Sequence, residues 1–159
     1  MSSLIIRGAL IGVLGTITMD LFTTIASKLR WVALLRRPLI GRWFASVGRG
    51  QLCVRDIGLL APAKNEVAIA VSVHYVIGVV LGILFLLVGS FLGLSTRNPW
   101  IALGFGLSTN VFPWFLMFPA MGYGWFGSRG PAGTRLFQGS LVAHCFYGVG
   151  LWLGATILD

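Results

Sequence analysis

Residues 66–94 read EVAIAVSVHYVIGVVLGILFLLVGSFLGL, and the only formally charged side chain among them is Glu66, at the start. Crossing ~30 Å of hydrocarbon takes about 20 predominantly apolar residues in a helix, so this run is long enough to span a bilayer. Three further runs qualify, at 4–29, 99–123 and 135–158. The composition agrees: 57% of the 159 residues are apolar and 10% are charged, and the mean hydropathy is +0.90. A soluble domain carries about 25% charged residues because its surface faces water. The expected fold is therefore all-α: one integral membrane domain over 1–159, a bundle of four transmembrane helices. The first run is too long for a signal peptide and has no small-residue cleavage site, so it is expected to stay as a span. Cys53 and Cys145 lie in contexts too different for a disulfide framework.

A net charge of +8 would suit nucleic acid on a polar domain. Here the cations sit between apolar runs, and no nucleic-acid partner is expected. Lys28, Arg30, Arg36, Arg37, Arg42, Arg49, Arg55, Lys64, Arg129 and Arg135 fall at one end of the four spans; Arg7 and Arg97 fall at the other. Loop cations are retained in the cytoplasm. The reading is a multi-pass protein of the bacterial inner membrane, with the basic end cytoplasmic and both termini outside.

The segment 30–64 alternates apolar residues with Arg36, Arg37 and Arg42. Each arginine costs ~2.5–3.5 kcal/mol at a bilayer centre, so the segment is a poor span. Pro38 and Gly41 preclude a long helix. A short amphipathic helix in the cytoplasmic interface is expected, its arginines reaching toward headgroups, with a lid over a cavity as the alternative. Trp31, Trp43, Trp100, Trp125 and Trp152 read as interfacial anchors.

Polar groups inside the spans carry the functional signal. His74 lies eight residues beyond Glu66, His144 nine beyond Arg135, and Asp20 nine before Leu29. At ~1.5 Å per residue, all three lie ~12–14 Å from the basic end. Asn110 and Trp114 of the third span fall near that level. Ionisable residues in membranes usually face a bundle interior, paired with one another. The expected ligand-binding or proton-relay set is Asp20, His74, His144, Asn110, Glu66, Tyr75, Tyr147 and Trp114. Glu66 is expected at its entrance, with Arg42 and Trp43 as loop contacts. Asp20 and His144 are expected to share a network. Pro113 should kink the third helix at this level.

The motif H-x-x-x-G-V-x-L occurs at His74–Leu81 and at His144–Leu151, a weak parallel repeat of two hairpins. Its glycines allow close helix packing, or admit a flat cofactor beside each histidine. Met19-Asp20, Gly41-Arg42-Trp43, Glu66, His74-Tyr75 with Gly78, Pro113 and Pro119 with Gly122 and Gly124, and His144 with Gly148 together resemble the bacterial membrane-protein family known as domain of unknown function 2938. That family brings no established activity. The resemblance implies that the Gly41-Arg42-Trp43 loop is more than a connector.

Three functions stay open. One is binding of a small amphiphilic or anionic ligand, or proton-linked transport, which four helices would perform as a homo-oligomer or in a larger membrane complex. The second is a redox protein, with haem b between His74 and His144 or a divalent metal on His74, His144 and Asp20. The third is an accessory subunit. No residue is assigned a catalytic role. Cys145 projects about 100° away from His144 around the helix, which gives nucleophilic chemistry no support.

Overall fold

The computed structural model describes residues 2–158. It is all-helical, with α1 (Ser2–Lys28), α2 (Arg37–Val47), α3 (Glu66–Leu92), α4 (Pro99–Ser108), α5 (Phe118–Ala120) and α6 (Thr134–Leu158). A π-helical turn, Pro113–Met117, joins α4 to α5 and makes one broken span of Pro99–Ala120. Four helices are long and apolar enough to cross a membrane.

Local sequence sets the ends of these spans. The second stops short of the expected 94 because Gly93 takes a left-handed conformation with φ 64°. The Leu94 N–H then donates to the Gly89 carbonyl at 2.8 Å, closing the last turn. Asn98 caps the third span through its side chain, which accepts from the Trp100 N–H, and Pro99 occupies the first turn. The break beyond α4 is a change of hydrogen-bonding pattern around Pro113. The Phe112 N–H turns to the Thr109 carbonyl, and the Phe118 N–H donates to the Pro113 carbonyl in a five-residue loop of chain.

α1 and α6 form a central pair, with α3 packed on α1 and α4 on α6. Glycines permit these approaches. A Cβ on Gly12 would collide with the Gly78 carbonyl, and one on Gly148 would stand 2.8 Å from the Ala102 carbonyl oxygen. The repeated glycines Gly78 and Gly148 therefore serve helix packing, each against the span that precedes it.

Two cores result. One, near the termini, gathers Ile11, Phe85, Ala102, Tyr147, Leu151 and Ala155. The other, at the basic end, gathers Leu39, Trp43, Ile57, Phe118, Met121 and Leu136. The 30–64 segment belongs to this second core rather than lying flat on the surface. α2 docks across the start of α3: Gly41 lies against the Glu66 carbonyl, and Arg42 is buried at 8% exposure. Pro38 begins α2 instead of breaking it. Trp31, Trp100 and Trp125 are exposed as anchors should be, whereas Trp43 is buried and donates its indole N–H to the Leu52 carbonyl.

Gly148→Ala should lower the melting temperature in detergent, because overpacking of a close contact costs ~1–3 kcal/mol. Gly104→Ala is the control: its Cβ would meet nothing within 4 Å. It should leave stability unchanged or raise it, since alanine is the better helix former.

Candidate functional site

A cavity of about 480 Å³ lies between the two cores. α1 and α6 form its back, α3 one side, the π turn and α5 the other, and α2 with residues 33–35 its floor at the basic end. Ile77, Leu81, Phe112, Pro113 and Met117 supply apolar wall, and Asp20, His74, His144 and Arg37 supply the polar part.

Asp20 is the centre of a small ionic group. Its Oδ1 lies 3.3 Å from His74 Nε2 on α3, and its Oδ2 lies 3.3 Å from Arg37 Nη2 on α2. The His74 nitrogen is buried and out of line for a true hydrogen bond, so this contact is an electrostatic approach. Arg37, half-exposed at the mouth, belongs to this group, although the sequence placed it only among the loop cations. Its only signal was its place directly before Pro38, at the start of α2.

His144 stands apart from this group on the α6 wall. Its Nδ1 lies 2.6 Å from Thr109 Oγ1 of the third span. The expected Asp20–His144 network is absent: Asp20 is partnered by His74 and Arg37, and His144 by Thr109. Tyr147 also lines the cavity, and its hydroxyl donates to the Gly78 carbonyl at 2.7 Å, tying α6 to α3.

The other expected residues lie elsewhere. Asn110 is fully buried one layer behind the wall, accepting from the Ser140 hydroxyl at 2.7 Å and donating to the Leu107 carbonyl at 3.0 Å. Trp114 is turned away from the cavity by the π turn and packs on Phe126 and Phe137. Tyr75 meets the edge of His74 without reaching the wall.

Glu66 and Arg42 hold each other beneath the site rather than standing at its entrance. Arg42 Nε and Nη2 donate to the two Glu66 oxygens at 3.0 and 3.2 Å, and Nη1 donates to the Leu60 carbonyl at 2.7 Å. The hydrogen bond to Glu66 raises the Arg42 pKa further above its ordinary value. Arg42 and Trp43 therefore position α2, and the α2 residues that reach the cavity are Arg37, Ile40 and Phe44.

Among the described residues, no three His, Cys, Asp or Glu side chains gather closely enough to hold a metal ion. The set His74, His144 and Asp20 does not form such a group. A haem b between the histidines fits poorly as well, because His74 Nε2 is buried against Asp20.

Fold and site together describe a small helical membrane protein with a polar-tipped cavity between its spans. The chain belongs to the family described as Protein of unknown function (DUF2938), which matches residues 9–158. No curated protein and no solved structure matches it.

Asp20→Asn and His74→Ala should be non-additive in unfolding measurements, with a coupling of ~0.5–3 kcal/mol for groups in contact. Asp20→Asn and His144→Ala, which share no hydrogen bond or ion pair, should couple more weakly than that pair.

Proposed function

We propose that this protein binds a small amphiphilic molecule within the membrane, its apolar body between α3 and the broken third span and its polar head near Asp20, His74 and His144. One observation carries this reading: a single cavity combines an apolar wall with an ionic group, at the size of a small ligand site (~300–1,000 Å³). Asp20 and Arg37 neutralise each other, so the head meets hydrogen-bonding groups with little net charge.

Filling the cavity tests this. Ala143→Phe places an aromatic ring in the wall away from the ionic group. The protein purified in its native lipid should carry an amphiphile enriched over the surrounding bilayer by extraction and mass spectrometry. Ala143→Phe should lose that molecule, with a cooperative melting transition showing that the variant still folds. Equal content in both proteins would refute the reading.

Proton-linked transport is the second reading, favoured by the Asp20–His74 contact, since Asp and His chains form proton relays in pumps. It calls for a second copy of the chain or a larger complex, because four spans are few for alternating access. Both readings take the bacterial inner membrane as the setting, with the ten cations of the basic end in the cytoplasm and the termini outside. Cys53 is exposed at that end and serves as a native reporter. In a Cys145→Ala background, an impermeant thiol reagent should label Cys53 only after cells are broken. Labelling in intact cells would reverse the orientation.

A further inference from the structure

The hydrogen-bond inventory of the cavity wall identifies the head group it takes, and this step rests on the amphiphile reading above. A hydroxyl has one proton to donate. Thr109 Oγ1 lies 2.6 Å from the Gly106 carbonyl oxygen of its own helix and 2.6 Å from His144 Nδ1. A carbonyl oxygen can only accept, and two oxygens this close repel unless a proton lies between them. The Thr109 proton therefore goes to Gly106. The other short contact must then be filled by the imidazole, with Nδ1–H donating to Thr109.

A neutral imidazole carries one N–H, and its second nitrogen is an acceptor. With Nδ1 protonated, His144 Nε2 presents a lone pair. Among the described residues that nitrogen has no hydrogen-bond partner, and the ring lines the cavity.

Four of the five hydroxyls on the wall have likewise committed their protons to the protein, Thr24 being the exception. Thr16 donates to the Gly12 carbonyl, Thr23 to the Met19 carbonyl, Ser140 to Asn110 Oδ1 and Tyr147 to the Gly78 carbonyl. They offer the cavity oxygen lone pairs. The cationic donor Arg37 and the imidazole of His74 both face Asp20.

We infer that the cavity selects an amphiphile with a neutral hydroxyl head, an alcohol or a phenol, whose O–H is accepted by His144 Nε2. An ether, ketone or ester brings no proton for that nitrogen. A carboxylate brings no proton either, and its negative oxygens would face the Nε2 lone pair.

The test uses the full chain in lipid nanodiscs, with ¹³C-methyl methionine and ¹⁵N-histidine labels. Met19 and Met117 line the cavity and report occupancy, while Met121 in the basic-end core is the control. Four probes are titrated by mole fraction in the lipid: dodecanol, a decylphenol, dodecyl methyl ether and dodecanoate. One or both hydroxyl probes should saturate the Met19 and Met117 shifts and move the His144 Nε2 resonance. They should do so about two- to tenfold more tightly than the ether, the worth of one net hydrogen bond. Which of the two binds separates an aliphatic from an aromatic source. Thr109→Val should bring alcohol and ether toward parity.

Equal saturation by hydroxyl, ether and carboxylate would overturn the head-group assignment while leaving the amphiphile site standing. Tighter binding of dodecanoate would overturn it as well. No movement of Met19 and Met117 with any probe would remove the site itself. The ¹⁵N spectrum of the unmodified protein is an independent check that does not depend on a variant folding: finding His144 as the Nε2–H tautomer overturns the inference.

Discussion

The ion pair between Arg42 and Glu66 fixes the part of the chain on which the cavity depends. The guanidinium engages both carboxylate oxygens and the Leu60 carbonyl, and Glu66 also accepts from the Ala63 N–H. One knot thus joins α2, the irregular chain before α3, and the first turn of α3. Gly41 beside it lets the α2 backbone lie directly on the Glu66 carbonyl. Burying charges offsets much of what their attraction returns, so the value of such a pair lies in register more than in net stability. Register is what the site requires. Turning α2 by one residue would remove Arg37, Ile40 and Phe44 from the cavity together.

Above that floor, the two hairpins follow one plan with different chemistry. In each, a histidine on the second helix is followed four residues later by a glycine packed on the preceding span: Gly78 on α1 and Gly148 on α4. Each histidine also meets a polar partner on that same span. For His74 the partner is Asp20, a charge; for His144 it is Thr109, a neutral hydroxyl. The cavity therefore has one ionic wall and one neutral wall. The same backbone register produced both, and only the partner residue differs.

The spans were legible because twenty apolar residues leave few alternatives, and their ends moved by a few residues only where Gly93 or the broken third span intervened. Counting depth along straight helices also brought Asp20, His74 and His144 to one cavity. The count failed on the third span. A π turn adds a residue to the helical circuit, so Trp114 swings away while Phe112, Pro113 and Met117 face inward. Asn110 lies at the right depth but behind Ser140. Arg42 and Glu66 were both noticed, yet 24 residues of mostly irregular chain separate them, and no periodicity relates them. Arg37 and Thr109 were missed for a similar reason. One looked like another loop cation, and the other like an ordinary helical threonine satisfied by its own backbone.

Close glycine contacts hold α3 to α1, α1 to α6 and α6 to α4, whereas α3 and α4 meet through Phe85 and Phe105, whose ring centres are 5.2 Å apart near the termini. Toward the basic end the two flanking spans diverge around the cavity. The seam between them is therefore closed by an aromatic contact at the terminal end and left to the cavity at the basic end. A molecule held there would supply the packing between α3 and the third span that the protein's own side chains do not.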